Sequence, residues 1–281
     1  MEAARPSRTA LRVAMRRAAH QIFDAEPLVF PDPLAVPILG AQYLPEVERT
    51  RFKLDKPHSV ALRAHLVGRS RYAEDLLAHA VSNGASQYVL LGAGLDTFAY
   101  RNPFPQLHVF EVDHPATQQW KRNLLAANEI GIPSSLTYVS VDFEHQQLAT
   151  QLVAAGFDSS RPAFFAWLGV VPYLTYAAFR ATIRLIESSP PGSGVVMDYS
   201  QPRSALPYLE QLAHDSLASR VQLAGEPFQL FFTSHQMAAE LSGFRDIENL
   251  GAAELNAHYF ASRSDNLKAM GSAGRILSAW L

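Results

Sequence analysis

The chain of 281 residues has no cysteine. That absence removes disulfides, thiolate nucleophiles and zinc–thiolate sites together, and it fits a reducing compartment. Neither sign of charge prevails: 24 Lys and Arg face 26 Asp and Glu, for a net charge of -2. No basic field exists to hold a phosphate backbone, so nucleic acid is not an expected partner. No apolar run approaches the roughly 20 residues of a membrane span, so no membrane partner is expected. The early arginines (Arg5, Arg8, Arg12, Arg16, Arg17) precede no uninterrupted apolar segment. This speaks against a secretory signal, leaves an Arg-rich transit peptide as the alternative, and makes the cytoplasm the expected location. The ten histidines form no His-Glu-x-x-His or His-x-His, so no metal is expected. Neither a Gly-x-Ser-x-Gly elbow nor a Walker loop is present.

What is present is a globular composition, 48% apolar and 18% charged, in a chain long enough for one large domain or two small ones. The first 84 residues have helical texture. Leu11, Met15, Ala18 and Ile22 recur at helical spacing, with Arg8, Arg12 and Arg16 on another stripe read as a solvated face. Ser7 is placed to cap that helix. A second helix is predicted from Pro57 to about Val81, stopped by Asn83-Gly84. From Gln87 onward short apolar runs alternate with helical patterns. The predicted strands are Gln87–Leu91, His108–Val112, Leu136–Val141, Ala163–Leu168 and Gly194–Tyr199. Helices are predicted near 96–101, 114–129, 144–155 and 175–188. Strands alternating with helices imply right-handed crossovers and a parallel sheet, and nearly continuous apolar runs imply strands covered on both faces. In the tail a helix near 204–220, the apolar run Phe228–Phe232, a helix near 234–242 and a strand over Phe244–Leu250 precede Ile276–Leu281, a last strand or helix. Trp167, Phe164, Phe165 and Tyr199 are expected in the core.

The chemistry-bearing segment is Leu91-Gly92-Ala93-Gly94-Leu95-Asp96-Thr97, a Gly-x-Gly just after the first predicted strand. Glycines there permit a tight turn and a close approach of ligand to backbone. The third glycine of the dinucleotide fingerprint is missing, which counts against a nicotinamide-dependent oxidoreductase. Asp113 ends the second strand, 19 residues past Gly94, where an acid is placed to accept ribose hydroxyls. A hydrogen bond to a charged group contributes about 1.5–3 kcal/mol, so one carboxylate there matters for affinity. Glu111, two residues earlier, belongs with Asp113 only if the strand does not alternate. Asp142-Phe143 ends the third strand, where a carboxylate can accept from an adenine amino group and an aromatic can pack on the ring. Open parallel sheets bind ligands at the carboxyl ends of their strands.

These stretches, joined by Ser7-Arg8-Thr9-Ala10, Arg17-Ala18-Ala19-His20-Gln21, Asp32-Pro33-Leu34-Ala35, Arg69-Ser70-Arg71-Tyr72, Glu111-Val112-Asp113-His114-Pro115 and Leu168-Gly169-Val170-Val171-Pro172-Tyr173, resemble the bacterial branch of the leucine carboxyl methyltransferase-like family. They span residues 7 to about 200. The resemblance implies an α/β fold: a Rossmann-like, doubly wound, mostly parallel seven-stranded sheet under an N-terminal helical cap. It implies one class I methyltransferase domain over 1–281, with the cap at 1–84, a cofactor-binding core at 85–200 and substrate-side helices and closing strands at 201–281. It further implies S-adenosyl-L-methionine as cofactor. Arg69 matches an arginine that meets the methionine carboxylate. Gly92, Ala93 and Gly94 match the cofactor loop, Asp113 the ribose acid, Asp142 and Phe143 the adenine pair, and Tyr173 a tyrosine on the substrate side. Leu168 stands where the eukaryotic carboxyl methyltransferases carry a glutamate, which argues against methylation of a phosphatase C-terminus.

The expected reaction is O-methylation of a carboxyl or hydroxyl group of a small molecule. A non-catalytic cofactor-binding protein is the alternative. The sequence displays no evident catalytic base: His114 reads as structural and His235 as surface. The oligomeric state is not legible.

Overall fold

The apolar runs pair into one sheet because each has side chains to bury on both faces. In the computed structural model, which describes residues 6–223 and 225–281, β1 (Gln87–Leu91), β2 (His108–Asp113), β3 (Leu136–Ser140), β4 (Ala163–Trp167) and β5 (Gly194–Ser200) run parallel. β7 (Gly274–Trp280) lies antiparallel to both β5 and β6 (Arg245–Leu250). The strand order is β3-β2-β1-β4-β5-β7-β6. It reverses direction between β1 and β4, and that reversal opens a crevice at the carboxyl ends of the strands.

Period-two alternation sorts the core. Val89, Leu91, Phe110, Val112, Phe165 and Trp167 pack on one face with α5 (Leu148–Ala154), α6 (Tyr176–Glu187) and α8 (Ser234–Glu240). Tyr88, Leu90, Val109, Phe164 and Ala166 pack on the other with α3 (Pro57–Ser82) and α9 (Ala252–Tyr259). A third cluster joins α1 (Arg8–Phe23) to α4 (Pro115–Ala127) through Ala14, Ala18, Leu124, Leu125 and Leu95. α2 (Leu44–Arg49) contributes Val47 to it. Pro57 opens α3, where its missing N–H costs nothing.

Ser7 caps α1 by accepting from the Ala10 amide at 3.0 Å. Arg17, on the inner face of α1, donates to Asp32 at 2.7 Å, to Asp96 at 2.9 Å and to Thr97 at 3.1 Å. The Thr97 hydroxyl donates to Asp32 at 2.8 Å. The arginine and aspartate motifs of the first 35 residues therefore clamp the cap onto the loop that follows β1. Breaking such a buried pair by removing one partner costs about 3–5 kcal/mol.

Several expectations are corrected. The helix predicted near 96–101 is one short 3-10 turn, Phe98–Tyr100. Asp96 and Thr97 spend their side chains on Arg17, and Asp96 also turns the chain by accepting from the Phe98 amide at 2.8 Å. The helix predicted from 144 starts only at Leu148, because Asp142 ties the intervening turn. The last segment is a strand, and the run 228–232 is extended but joins no ladder. α2 and α9 carry no signal strong enough to be read in advance. Of the arginine stripe, Arg8 and Arg12 are exposed. Arg16 is half-buried, and burial followed by the charge of Arg12, Arg220 and Arg63 lowers its pKa to about 10. Arg5 lies outside the described residues.

Candidate functional site

The turn after β1 places Gly92 at φ +69° and Gly94 at φ +51°, in the left-handed region that favours glycine. The Gly92 and Ala93 amides both donate to the Val112 carbonyl, at 2.8 and 3.0 Å, which folds the loop back toward β2. The Gly94 amide donates to Asp113 Oδ2 at 2.6 Å, and the His114 amide donates to Oδ1 at 2.7 Å. Asp113 is thus held by backbone at the end of β2 and remains partly exposed. Burial raises its pKa, against the opposing pull of the two amides. Glu111 points the other way, as alternation requires, and pairs with Lys121 at 2.7 Å in the interior. Burial pushes its carboxyl up to about 7, with Lys121 pulling down.

Asp142 lies just past β3. It accepts from the Glu144 amide at 3.0 Å and contacts His145 at 3.1 Å. Burial works to raise its pKa, but that amide and His145 hold it below the ordinary value. Its Oδ2 is 4.0 Å from Nε2 of His114. His114 is structural: its Nδ1 accepts from the Ala116 amide at 3.2 Å and caps α4. Phe143 packs half-buried against the core. These residues form the side of the crevice on β1, β2 and β3.

The other side stands on β4 and β5. Arg69 projects from α3 and pairs with Asp198 of β5, both buried. Asp198 also accepts from the Gly169 amide and lies 3.8 Å from Nε2 of His65. Burial alone would raise its carboxyl, yet the Arg69 charge and His65 bring it down to about 2. Gly169 has φ +74°, and a side chain there would lie 3.0 Å from an Arg69 nitrogen. Tyr173 is half-buried in the 3-10 turn after β4. Burial pushes its phenol up to about 12, with the adjacent Thr9 hydroxyl pulling the other way. The two sides meet where Val170 lies over Gly92, at 2.3 Å from the position of an added Cβ. α1 roofs the loop, with Ala10 at 3.1 Å from the corresponding position on Gly94.

The structure therefore sets Gly92, Ala93, Gly94, Asp113 and Asp142 along one rim, with Phe143 packed beneath it, and Arg69 with Tyr173 along the other. Asp198, His65 and Thr9 were not singled out in the sequence. A carboxylate inside the apolar run of β5 was the available signal for Asp198. A cleft of about 740 Å³ opens outside the cap, between Ser7, Leu11, Trp120 and Glu226, and none of the predicted site residues line it.

Residues 10–187 match the family model described as leucine carboxyl methyltransferase. The chain belongs to the leucine carboxyl methyltransferase family. It is 32% identical to Bacillus subtilis YktD over 94% of each chain. It is 35% identical to a Mycobacteroides abscessus protein over 68% of this chain and 63% of that one. Both carry the name "putative S-adenosyl-L-methionine-dependent methyltransferase". Solved structures share the fold: a "putative methyltransferase" from Thermobifida fusca, with TM-score 0.58 at 17% identity, covers 90% of this chain and 96% of its own. A DUF574 family protein from Streptomyces avermitilis, with TM-score 0.53 at 18% identity, covers 96% of each. This family member is a methyltransferase, and its cofactor is S-adenosyl-L-methionine.

The residues present fit that cofactor. Asp113 is an oriented carboxylate with free lone pairs for hydroxyl donors. The glycine turn leaves its backbone bare of side chains, with Val170 and Ala10 packed close against it. Nε of Arg69 is buried with no partner among the described residues, and a guanidinium of that kind suits a carboxylate.

Proposed function

We propose that the protein transfers a methyl group to an oxygen of a small molecule, a carboxylate or a hydroxyl, with the cofactor seated across the switch point of the sheet. The observation that carries this reading is the Gly94 amide bonded to Asp113 at the end of β2, together with a buried arginine that keeps one donor unused. In this reading Asp113 takes the ribose hydroxyls, Asp142 and Phe143 the adenine, Arg69 the amino-acid carboxylate, and Gly92, Ala93 and Gly94 the close approach. When bound, the cofactor supplies an electrophilic methyl group on a sulfonium. The protein's own work is positioning, which supplies about 7–11 kcal/mol when reacting atoms are well aligned, and exclusion of water. Asp198 keeps Arg69 from swinging into solvent, and α1 closes over the glycine turn. A small acceptor is supported by the aromatic wall beside Tyr173, where the Phe228 ring lies 5.2 Å away. No helix among the described residues is long and apolar enough to cross a membrane. A soluble cytoplasmic enzyme acting without nucleic acid is the setting we propose.

The test is calorimetry with S-adenosylmethionine, followed by transfer of a labelled methyl group onto a panel of small acids and phenols. Binding with product supports the reading. Binding without product from any member leaves a cofactor-binding protein that has lost turnover, the reading Leu168 would favour. Absence of binding overturns the proposal. Arg69→Ala should bind the cofactor at least tenfold more weakly; unchanged affinity would remove Arg69 from the site.

A further inference from the structure

We propose that His214 is the general base of the transfer, and that the acceptor it serves is a hydroxyl on an aromatic ring. This rests on the methyltransferase reading above and deepens it.

His214 lies on α7 (Tyr208–Leu223). Its side chain is 10% exposed, and both ring nitrogens are buried with no hydrogen-bond partner among the described residues. A neutral imidazole carries one N–H and one lone pair. Leaving such groups unpaired in the interior is costly, and native structures rarely do so without a functional partner. The nearest charge is Oδ1 of Asp215, 3.7 Å from Nδ1 and too far for a hydrogen bond. Arg203 holds that carboxylate, at 2.8 and 3.0 Å. Asp215 lies on the Nδ1 side of the ring, which leaves Nε2 for the acceptor.

The ring's surroundings say what the acceptor is. Phe231 lies 5.6 Å and Phe228 6.4 Å from the imidazole, and Phe228 touches Tyr173 at 5.2 Å. The segment bearing the two phenylalanines is pinned to the sheet: Gln229 and Leu230 donate to the Pro172 carbonyl at 2.7 and 3.2 Å, and Phe232 donates to the Ser200 carbonyl at 3.1 Å. The aromatic segment therefore stands above the carboxyl ends of β4 and β5, on the same rim as Arg69. Phe228, Phe231 and Tyr173 form an aromatic cluster beside the imidazole, and aromatic surfaces favour a planar ring as partner. A carboxylate acceptor is already ionised at neutral pH and has no use for a base, whereas a phenol with a pKa near 10 does. An unpartnered imidazole among aromatic rings is the arrangement for the second. In the step, the phenol oxygen forms its bond to the methyl carbon while the carbon–sulfur bond breaks. The electron pair of that bond stays on sulfur, and the hydroxyl proton passes to His214 and then to solvent.

The test compares wild type with His214→Gln on para-cresol, para-nitrophenol and benzoate. Para-nitrophenol, with its much lower pKa, has little need of a base. Expected are a kcat on para-cresol lowered about a hundredfold or more, a far smaller loss on para-nitrophenol, and unchanged calorimetric affinity for S-adenosylmethionine, which also reports folding. Independently of turnover, the His214 ring-proton resonance of the cofactor-free protein should shift on titration with para-cresol. Equal losses on both phenols, a resonance that does not move, or use of benzoate alone would each overturn the proposal. Failure of wild type to bind S-adenosylmethionine would instead overturn the methyltransferase reading beneath it.

Discussion

The side of the crevice on β1, β2 and β3 and the side on β4 and β5 hold their charged groups by different means. On the first, Asp113 and Asp142 are fixed by backbone amides, those of Gly94, His114 and Glu144. On the second, Arg69 and Asp198 hold each other across 129 positions of sequence, far from bulk water. A carboxylate bound by amides survives loss of its neighbours' side chains. A buried ion pair does not, because either partner alone is an uncompensated charge. In the proposed reading the first side tunes affinity for the cofactor, and the second ties that affinity to the stability of the whole domain.

The sharpest way to break this contrast is Asp198→Ala. Arg69 would be stranded beside Gly169, and unfolding free energy should fall by about 3–5 kcal/mol, read as a lower urea midpoint. A change under about 1 kcal/mol, the size expected of an exposed pair, would show that the pair is not structural. The acid limb probes the same group. Its folded pKa is depressed to about 2, so its stabilisation is present above the unfolded value near 4 and disappears as pH falls from about 4 toward 2. Wild type should lose stability over that window more steeply than Asp198→Asn.

On the opposite rim the expected effects are smaller and of another kind. Asp113→Ala should lower affinity for S-adenosylmethionine about tenfold, on the order of 1.5 kcal/mol, by calorimetry. Unchanged affinity in the folded variant would take Asp113 out of the site. Ser7→Ala, which removes the cap of the helix roofing Gly94, should cost about 1 kcal/mol in thermal unfolding. No change would mean that the Ala10 amide finds another acceptor.

How far each side could be read in advance follows the same division. The first five strands were legible because burial on both faces writes continuous apolar runs, as in Gln87–Leu91 and Ala163–Trp167. The glycine turn was legible because its φ values lie in the left-handed region that favours glycine. The helix expected near 96–101 failed because Asp96 and Thr97 are claimed by Arg17, about 80 positions earlier. Strand β6, though mostly exposed, was read over Phe244–Leu250, whereas α9 is short and presents no strong apolar period. His214 carried no signal within the helix predicted near 204–220, because what marks it is the approach of Phe228 and Phe231 in the folded chain.

Alternating apolar runs, the glycine pair and an acid one strand further on were decided within the sequence itself, because each depends on local backbone geometry and on contacts between consecutive strands. The pairing of Arg69 with Asp198, the clamp of Arg17 on the β1 loop and the dry, unpartnered state of His214 were decided only by the folded chain. Burial and charge pairing depend on what else arrives at the same point in space, and that is set by the order in which strands cross the sheet.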